Sequence, residues 1–244
     1  MERVVAITGA SSGLGLAFAK HYAAQPSTRV LALDVSPLPP AVEQLKNVKF
    51  YEVDVTDEEA LAAVSKELGD LPVHISGIRG LVPSIAEEKK DVAAAETLEV
   101  MDKKTIMRTF EVNAWGAFST IRTLLPHLQR AASYATTTGA HPPKVIVMSS
   151  RMGSVGANTI GGGYAYRTSK AALNAVIKSF SIDVKGVVFL GLHPGRVETG
   201  LVQWKEEGAI SAEHSLEACL RVVRGAGLDD TGRFLDRFGK DIQW

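Results

Sequence analysis

The chain has 244 residues and as many acidic as basic side chains, so its formal net charge is zero, and nothing in it offers the basic excess that nucleic acid or an anionic membrane surface would draw on. Apolar residues make up 45% and charged residues 22%, an ordinary globular composition that suits one α/β domain over residues 1–244. The single cysteine, Cys219, excludes an internal disulfide and fits a reducing compartment, and no apolar run is long enough to span a bilayer, so a soluble cytoplasmic protein is expected.

Residues 4–7 read as a buried first strand. Thr8-Gly9-Ala10-Ser11-Ser12-Gly13-Leu14-Gly15 follows, then a helical pattern (Leu16, Ala17, Phe18, Ala19, Tyr22) that stops before Pro26. Strand, glycine turn and helix in this order form an anion site. The glycines let the backbone approach a pyrophosphate, and the helix start offers unpaired N–H groups and the positive end of its dipole. The spacing is G-x-x-x-G-x-G from Gly9, not the G-x-G-x-x-G of other dinucleotide binders. A tight turn without a ligand is the competing reading.

The second strand, residues 29–33, ends at Asp34, about 20 residues beyond Gly15, where an acid can hold the adenosine ribose. Such a carboxylate accepts the 2′-hydroxyl and repels a 2′-phosphate. No Lys or Arg lies in the glycine turn or just after Asp34, which favours NAD over NADP. A loop at 36–40 precedes a third strand, 48–53, with Asp54-Val55 at its end, placed to meet an adenine amine. Thr56 is expected to cap a helix over 57–68, and 71–76 reads as strand four with Gly77 after it. Residues 82–100 are charged, alanine-rich and expected to be partly helical.

A long helix is expected from Asp102 to about residue 130, with Ile106, Phe110, Val112, Trp115 and Phe118 as buried candidates and Asn113 in its interior, where asparagine is unfavourable without a reason. Residues 131–143 read as a loop. Strand five, 145–148, carries Ser149-Ser150 at its carboxyl end. After a glycine-rich stretch, 153–163, comes Tyr166-Arg167-Thr168-Ser169-Lys170, opening a buried helix to about 184. Residues four apart share a helix face, so the Lys170 ammonium comes near the Tyr166 phenol. A free phenol titrates near about 10, and an adjacent cation draws it toward neutrality, where it can give a proton to a carbonyl oxygen or take one from an alcohol. Strand six, 187–192, ends in His193-Pro194-Gly195. A helix over 213–224 and a strand over 232–235 close the chain. Alternating strands and helices predict a Rossmann-like, doubly wound parallel sheet of about seven strands with helices on both faces. The six histidines show no metal-ligand spacing.

Thr8-Gly9-x-x-x-Gly13-x-Gly15, Asp54-Val55, Asn113, Ser149-Ser150, Tyr166-x-x-x-Lys170 and Pro194-Gly195 through Thr199 stand in the order of the short-chain dehydrogenase/reductase family, which the chain resembles over nearly its whole length. The sequence from Tyr166 to Asn174, Leu192-His193-Pro194-Gly195 and the ending from Gly232 to Lys240 are similar to the C-factor/sniffer-like carbonyl reductase branch. The resemblance implies an NAD(P)(H)-dependent oxidoreductase interconverting a ketone or aldehyde and an alcohol. It makes Tyr166 the general acid/base and Lys170 its activator and the ligand of the nicotinamide ribose. Ser150, rather than Ser149, would bind the substrate oxygen, and Asn113 would hold a water linking Lys170 to solvent. Thr199 would meet the nicotinamide carboxamide. Cofactor contacts would come from Gly9, Ser11, Ser12, Gly13, Leu14, Gly15, Asp34, Asp54, Val55, Gly77, Asn113, Tyr166, Lys170, Pro194, Gly195, Val197 and Thr199. A homodimer or homotetramer, paired through the 102–130 and 163–184 helices, is implied in the same way.

Three departures from the family pattern stand out. His74-Ile75-Ser76-Gly77 replaces the usual Asn-Asn-Ala-Gly, the stretch from Ser150 to Tyr166 is longer than common, and residues 200–208 are short where relatives carry a lid. The first motivates an alternative, an NAD(H)-binding regulator without turnover. A reductase of an imine or enone is a further alternative. The substrate is not spelled by any residue.

Overall fold

The computed structural model describes residues 2–78, 92–198 and 208–244. Among the described residues seven parallel strands form one sheet: β1 (Arg3–Thr8), β2 (Thr28–Asp34), β3 (Val48–Glu52), β4 (Ile75–Ile78), β5 (Lys144–Met148), β6 (Val188–His193) and β7 (Arg233–Asp236), in the order β3-β2-β1-β4-β5-β6-β7. The order reverses between β1 and β4. In such sheets a crevice opens there, beyond the carboxyl ends of the strands.

Period-two alternation divides the core. Val4 and Ala6 face one way, with Leu31, Leu33, Val145, Val147 and Phe189, against α3 (Glu58–Leu68), α6 (Gly116–Thr138) and α7 (Tyr164–Asp183). Val5 and Ile7 face the other way, with Val30, Ala32, Ile146 and Leu190, against α1 (Gly13–Ala23), the short α2 (Pro40–Glu43) and α8 (Ala212–Gly225). Strands apolar on both faces are what a sheet covered by helices on both sides requires. Fully buried Ile121, Leu173, Ile177 and Phe189 each contribute about 1.5–3 kcal/mol by burial. The exposed pairs Arg29–Glu2 and Arg130–Asp70 add about 0–1 kcal/mol each, so the two apolar layers hold the fold.

Several boundaries differ from expectation. Asp57, not Thr56, caps α3 by accepting from the Ala60 N–H at 3.0 Å, while Thr56 turns back to Asp54. The strand expected from residue 71 begins at Ile75. The long helix is three pieces: α5 (Lys103–Phe110), a π-helical turn (Glu111–Trp115) and α6. It runs through most of the expected loop to Thr138, because Ala131, Ala132 and Ala135 are buried on its inner face while hydroxyls of Ser133, Thr136, Thr137 and Thr138 bond back to carbonyls one turn earlier, and Gly139, at φ +72°, ends it. The expected buried stripe is also displaced. Phe110 and Trp115 are exposed, Ile106, Val112 and Phe118 half-buried, and Thr109, Asn113, Ala114 and Ala117 fill the core. The extra residue of the π turn rotates the face that meets the sheet. Before α5, α4 (Val92–Ala95) is the helix described within the mixed segment. Among the described residues no helix is long and apolar enough to cross a membrane, and no group of acidic, histidine or cysteine side chains could hold a metal ion.

Candidate active site

The glycine turn leaves β1 at Thr8 and enters α1 at Gly13. Gly9 and Gly13 have φ of +64° and +50°, and a Cβ on Gly15 would lie 2.0 Å from the Gly9 carbonyl oxygen. Only a glycine fits at Gly15, where the start of α1 lies directly against the backbone of the turn. Ser12 is the N-cap of α1 and makes no side-chain cap bond. Asp34, at the end of β2, reaches over the turn. Its Oδ2 accepts from the Ser11 N–H at 2.9 Å and the Ser11 hydroxyl at 2.6 Å, and its Oδ1 from the Ser36 N–H at 3.1 Å. Asp34 therefore braces the turn that sequence reasoning assigned to the same ligand.

Asp54 lies beyond β3 with both oxygens engaged, Oδ1 by Thr56 and Oδ2 by Arg108 at 3.2 Å. Burial alone would push its carboxyl up, but these bonds outweigh it and hold it below the ordinary carboxylate range. Val55 packs on α6 where Gly116 leaves room, since a Cβ there would meet Val55 Cγ2 at 2.6 Å. Gly77 sits within β4, its backbone in register with Ile7 and Ile146.

Beyond β5 the two serines separate. The Ser149 hydroxyl donates to Asn174 Oδ1 at 2.6 Å inside the core, and the Asn174 amide donates to Gly153 O at 3.2 Å. The Ser150 hydroxyl accepts from the Met152 N–H at 3.2 Å and caps the 3-10 turn Arg151–Gly153. That turn lies directly on α7, because a Cβ on Gly153 would come within 2.8 Å of the Lys170 backbone.

On α7, Tyr166 is half-buried and Lys170 is 2% exposed. The Lys170 ammonium donates to Met148 O at 2.9 Å and stands 5.6 Å from the centroid of the Tyr166 ring. Asn113, carried inward by the π turn, donates from Nδ2 to Ser169 Oγ at 2.9 Å, and Ser169 donates to Tyr166 O at 2.8 Å. The interior asparagine thus has its reason: it ties the helix before β5 to the helix after it.

Pro194 and Gly195 lie beyond β6. Pro194 O accepts from Ser215 Oγ at 2.7 Å, and Gly195, at φ +90°, has the Arg237 guanidinium where a Cβ would stand. Val197 bridges to Ile210, and Thr199 lies outside the described residues. His193 is held neutral, its pKa lowered to about 4 by burial and by Arg151 and Arg237. In place of an asparagine, His74 accepts the Val4 N–H on Nδ1 at 3.1 Å and pins β1 to the chain entering β4.

One residue carried no motif. Glu96, just past α4, is 1% exposed and accepts the Tyr166 N–H on Oε2 at 2.8 Å, while its carbonyl accepts the Gly163 N–H at 2.9 Å. An Ala-Ala-Ala-Glu run gives no local sign of this.

A glycine turn at the switch point of a parallel sheet, with a tyrosine and a buried lysine one helical turn apart on the helix after β5, marks a Rossmann-type α/β protein. The sequence profile of the short chain dehydrogenase family matches residues 3–209. The chain belongs to that family, whose members are oxidoreductases acting on CH–OH and C=O groups. It is 38% identical over 146 residues to the C-signal of Myxococcus xanthus, covering 59% of this chain and 81% of that protein. It is 31% identical over 202 residues to 1-hydroxy-2-glutathionyl-2-methyl-3-butene dehydrogenase of Rhodococcus sp. (strain AD45), covering 79% and 78%. The fold is that of the carbonyl reductase Sniffer of D. melanogaster (TM-score 0.84, 24% identity, both chains covered in full). It is also that of the NADPH-bound carbonyl reductase from chicken fatty liver (TM-score 0.82, 24% identity, 99% of each chain).

Proposed function

We propose that the protein is a nicotinamide-dinucleotide-dependent carbonyl reductase or alcohol dehydrogenase, one Rossmann unit over residues 1–244 working in the cytoplasm, in which Tyr166 moves the proton. The observation that carries this reading is the buried Lys170 ammonium 5.6 Å from the centroid of the Tyr166 ring, with Asn113 bonded to Ser169 on the same helix and the turn after Ser150 packed on the Lys170 backbone. The left-handed glycines Gly9 and Gly13 and the helix start that follows them are the features of an anion site and would suit a pyrophosphate. A bound dinucleotide would supply hydride chemistry. The protein's own residues do the rest. Ser150 holds the substrate oxygen, Ser149 being turned to Asn174. Tyr166 donates a proton to that oxygen or accepts one from it. Lys170 favours the phenolate by its charge, and Asn113 fixes the helix that presents both.

The Asp34 carboxylate and the absence of Lys and Arg from the glycine turn and from residues 35–39 favour NAD(H). Asp34→Asn keeps an acceptor for Ser11 and removes the charge. It is expected to shift the ratio of NADPH to NADH dissociation constants by about tenfold toward NADPH, read by titration calorimetry. An unchanged ratio would remove Asp34 as the selector. A homodimer or homotetramer through α5, α6 and α7 would cover Met107, Phe110, Trp115 and Ile182, which stand 54%, 40%, 37% and 58% exposed.

The deciding experiment follows NADH and NADPH consumption across a panel of ketones, aldehydes, imines and enones. Turnover of a ketone or aldehyde supports the reading, and turnover confined to imines or enones moves the enzyme to that chemistry. Cofactor binding with no turnover of any of them favours a regulator that senses NAD(H), the reading to which the similarity to C-signal lends weight.

A further inference from the structure

We propose that Glu96 is a positioning residue for Tyr166, whose buried carboxylate fixes the first turn of α7 and opposes Lys170 in setting the protonation of the phenol. The proposal rests on the reading of Tyr166 as the group that moves the proton. Tyr166 is the third residue of α7, and its N–H belongs to the set that no intrahelical carbonyl can accept. The N-cap, Gly163, has no side chain to offer. The acceptor comes instead from Glu96, 2.8 Å away and 70 positions earlier. The attachment is double, because Gly163 N–H donates to Glu96 O at 2.9 Å. It is also close: a Cβ on Gly162, at φ +61°, would fall 2.3 Å from Ala93 O. The segment around Glu96 and the loop entering α7 are interlocked.

A second observation gives the carboxylate an electrostatic role. Glu96 Oε1 is buried and has no hydrogen-bond partner. Burial pushes the carboxyl up, and the N–H groups of Tyr166 and Ala165 oppose that rise. No described cation shares the charge. Arg167 donates to the carbonyls of Gly161, Gly162 and Met152, and Lys170 donates to Met148 O. On the other elements packed against α7, Arg108 is engaged by Asp54 and Glu111, Arg151 by Asp236, and His193 is held neutral. A carboxylate at this helix start cancels the positive end of the α7 dipole, which would otherwise favour the phenolate. Lys170 pulls the phenol toward the phenolate and Glu96 pulls it back, so that a proton is kept for donation.

Glu96→Gln separates charge from shape, since the amide oxygen can still accept the Tyr166 N–H. The readout is ultraviolet difference titration of phenolate in wild type and Glu96→Gln, each against its own Tyr166→Phe counterpart so that only Tyr166 is seen. The apparent pKa of Tyr166 is expected to fall by about one unit in Glu96→Gln, with little change in Tm. The high-pH limb of carbonyl reduction is expected to move to lower pH by the same amount. An unchanged Tyr166 titration would overturn the proposal, as would a rise. Glu96→Ala, which removes the acceptor as well, is expected to lower Tm and turnover together, and Glu96→Gln decides the matter if Glu96→Ala does not fold. The titration needs no substrate. Absence of turnover in the carbonyl panel would sink the enzymatic reading while the effect of Glu96 on the phenol remained measured.

Discussion

Tyr166→Phe is expected to lower kcat for carbonyl reduction by about 10³-fold and to leave the dinucleotide dissociation constant within about threefold of wild type. The substitution deletes one oxygen from a half-buried ring. The Lys170 ammonium keeps Met148 O, Asn113 keeps Ser169, and Ser169 keeps the backbone carbonyl of residue 166, because none of these bonds uses the phenol. Fold and cofactor site should therefore survive, and only the proton source is lost. Single-turnover reduction and titration calorimetry on the same preparation separate the two effects. A variant that turns over at the wild-type rate would place the proton source elsewhere, with the Ser150 hydroxyl at the strand end the next to substitute.

The second large effect is expected from a residue that touches no substrate. In Gly153→Ala the new Cβ would stand 2.8 Å from the Lys170 carbonyl carbon and 2.9 Å from its oxygen. The obstacle is backbone, so the Ser150 turn or α7 must move. Overpacking of this kind costs about 1–3 kcal/mol of stability, measurable by urea denaturation. A displacement on the order of 1 Å between Ser150 and the Tyr166–Lys170 pair should cost about 10²-fold in kcat. Gly225→Ala is the matching control. Gly225 lies within α8, and a Cβ there meets nothing within 4 Å, so the same chemical change should be neutral or stabilising by up to about 1 kcal/mol. Equal losses from both would show that Gly153 has no special place.

Much of this architecture was legible in the amino-acid order. Strands β1, β2, β5 and β6 are short apolar runs closed by Gly, Asp or Ser, and the helices after them carry apolar faces of helical period. Apart from Asn113 in the π turn, the proposed site residues lie at strand ends, in the glycine turn or within the first two turns of α7, where one-dimensional spacing translates directly into position. What escaped has physical causes. Thr56 and Asp57 are both good caps, and only the course of the chain selects Asp57. Residues 131–138 look like a loop by composition, yet Ala131, Ala132 and Ala135 fall on one buried face and tertiary packing overrides the weak helix preference of the hydroxyl residues between them. The helical pattern puts Phe110 and Trp115 among the buried candidates, and the π turn over Glu111–Trp115 changes the phase of the helix so that both stand exposed. Glu96 depends on a contact 70 positions away, which no local pattern encodes.

The π turn over Glu111–Trp115 also bears on how this scaffold tolerates length changes. Each residue of an α-helix advances the phase by about 100°. Removing one residue from the bulge would restore regular winding, yet swing everything on one side of it by roughly that angle relative to the other. Either Asn113 would lose sight of Ser169 or the α6 side chains seated on the sheet would rotate off it. Exchange of one amino acid for another is thus far better tolerated at this spot than a one-residue deletion, and the bulge works as a counting device that the helix cannot lose.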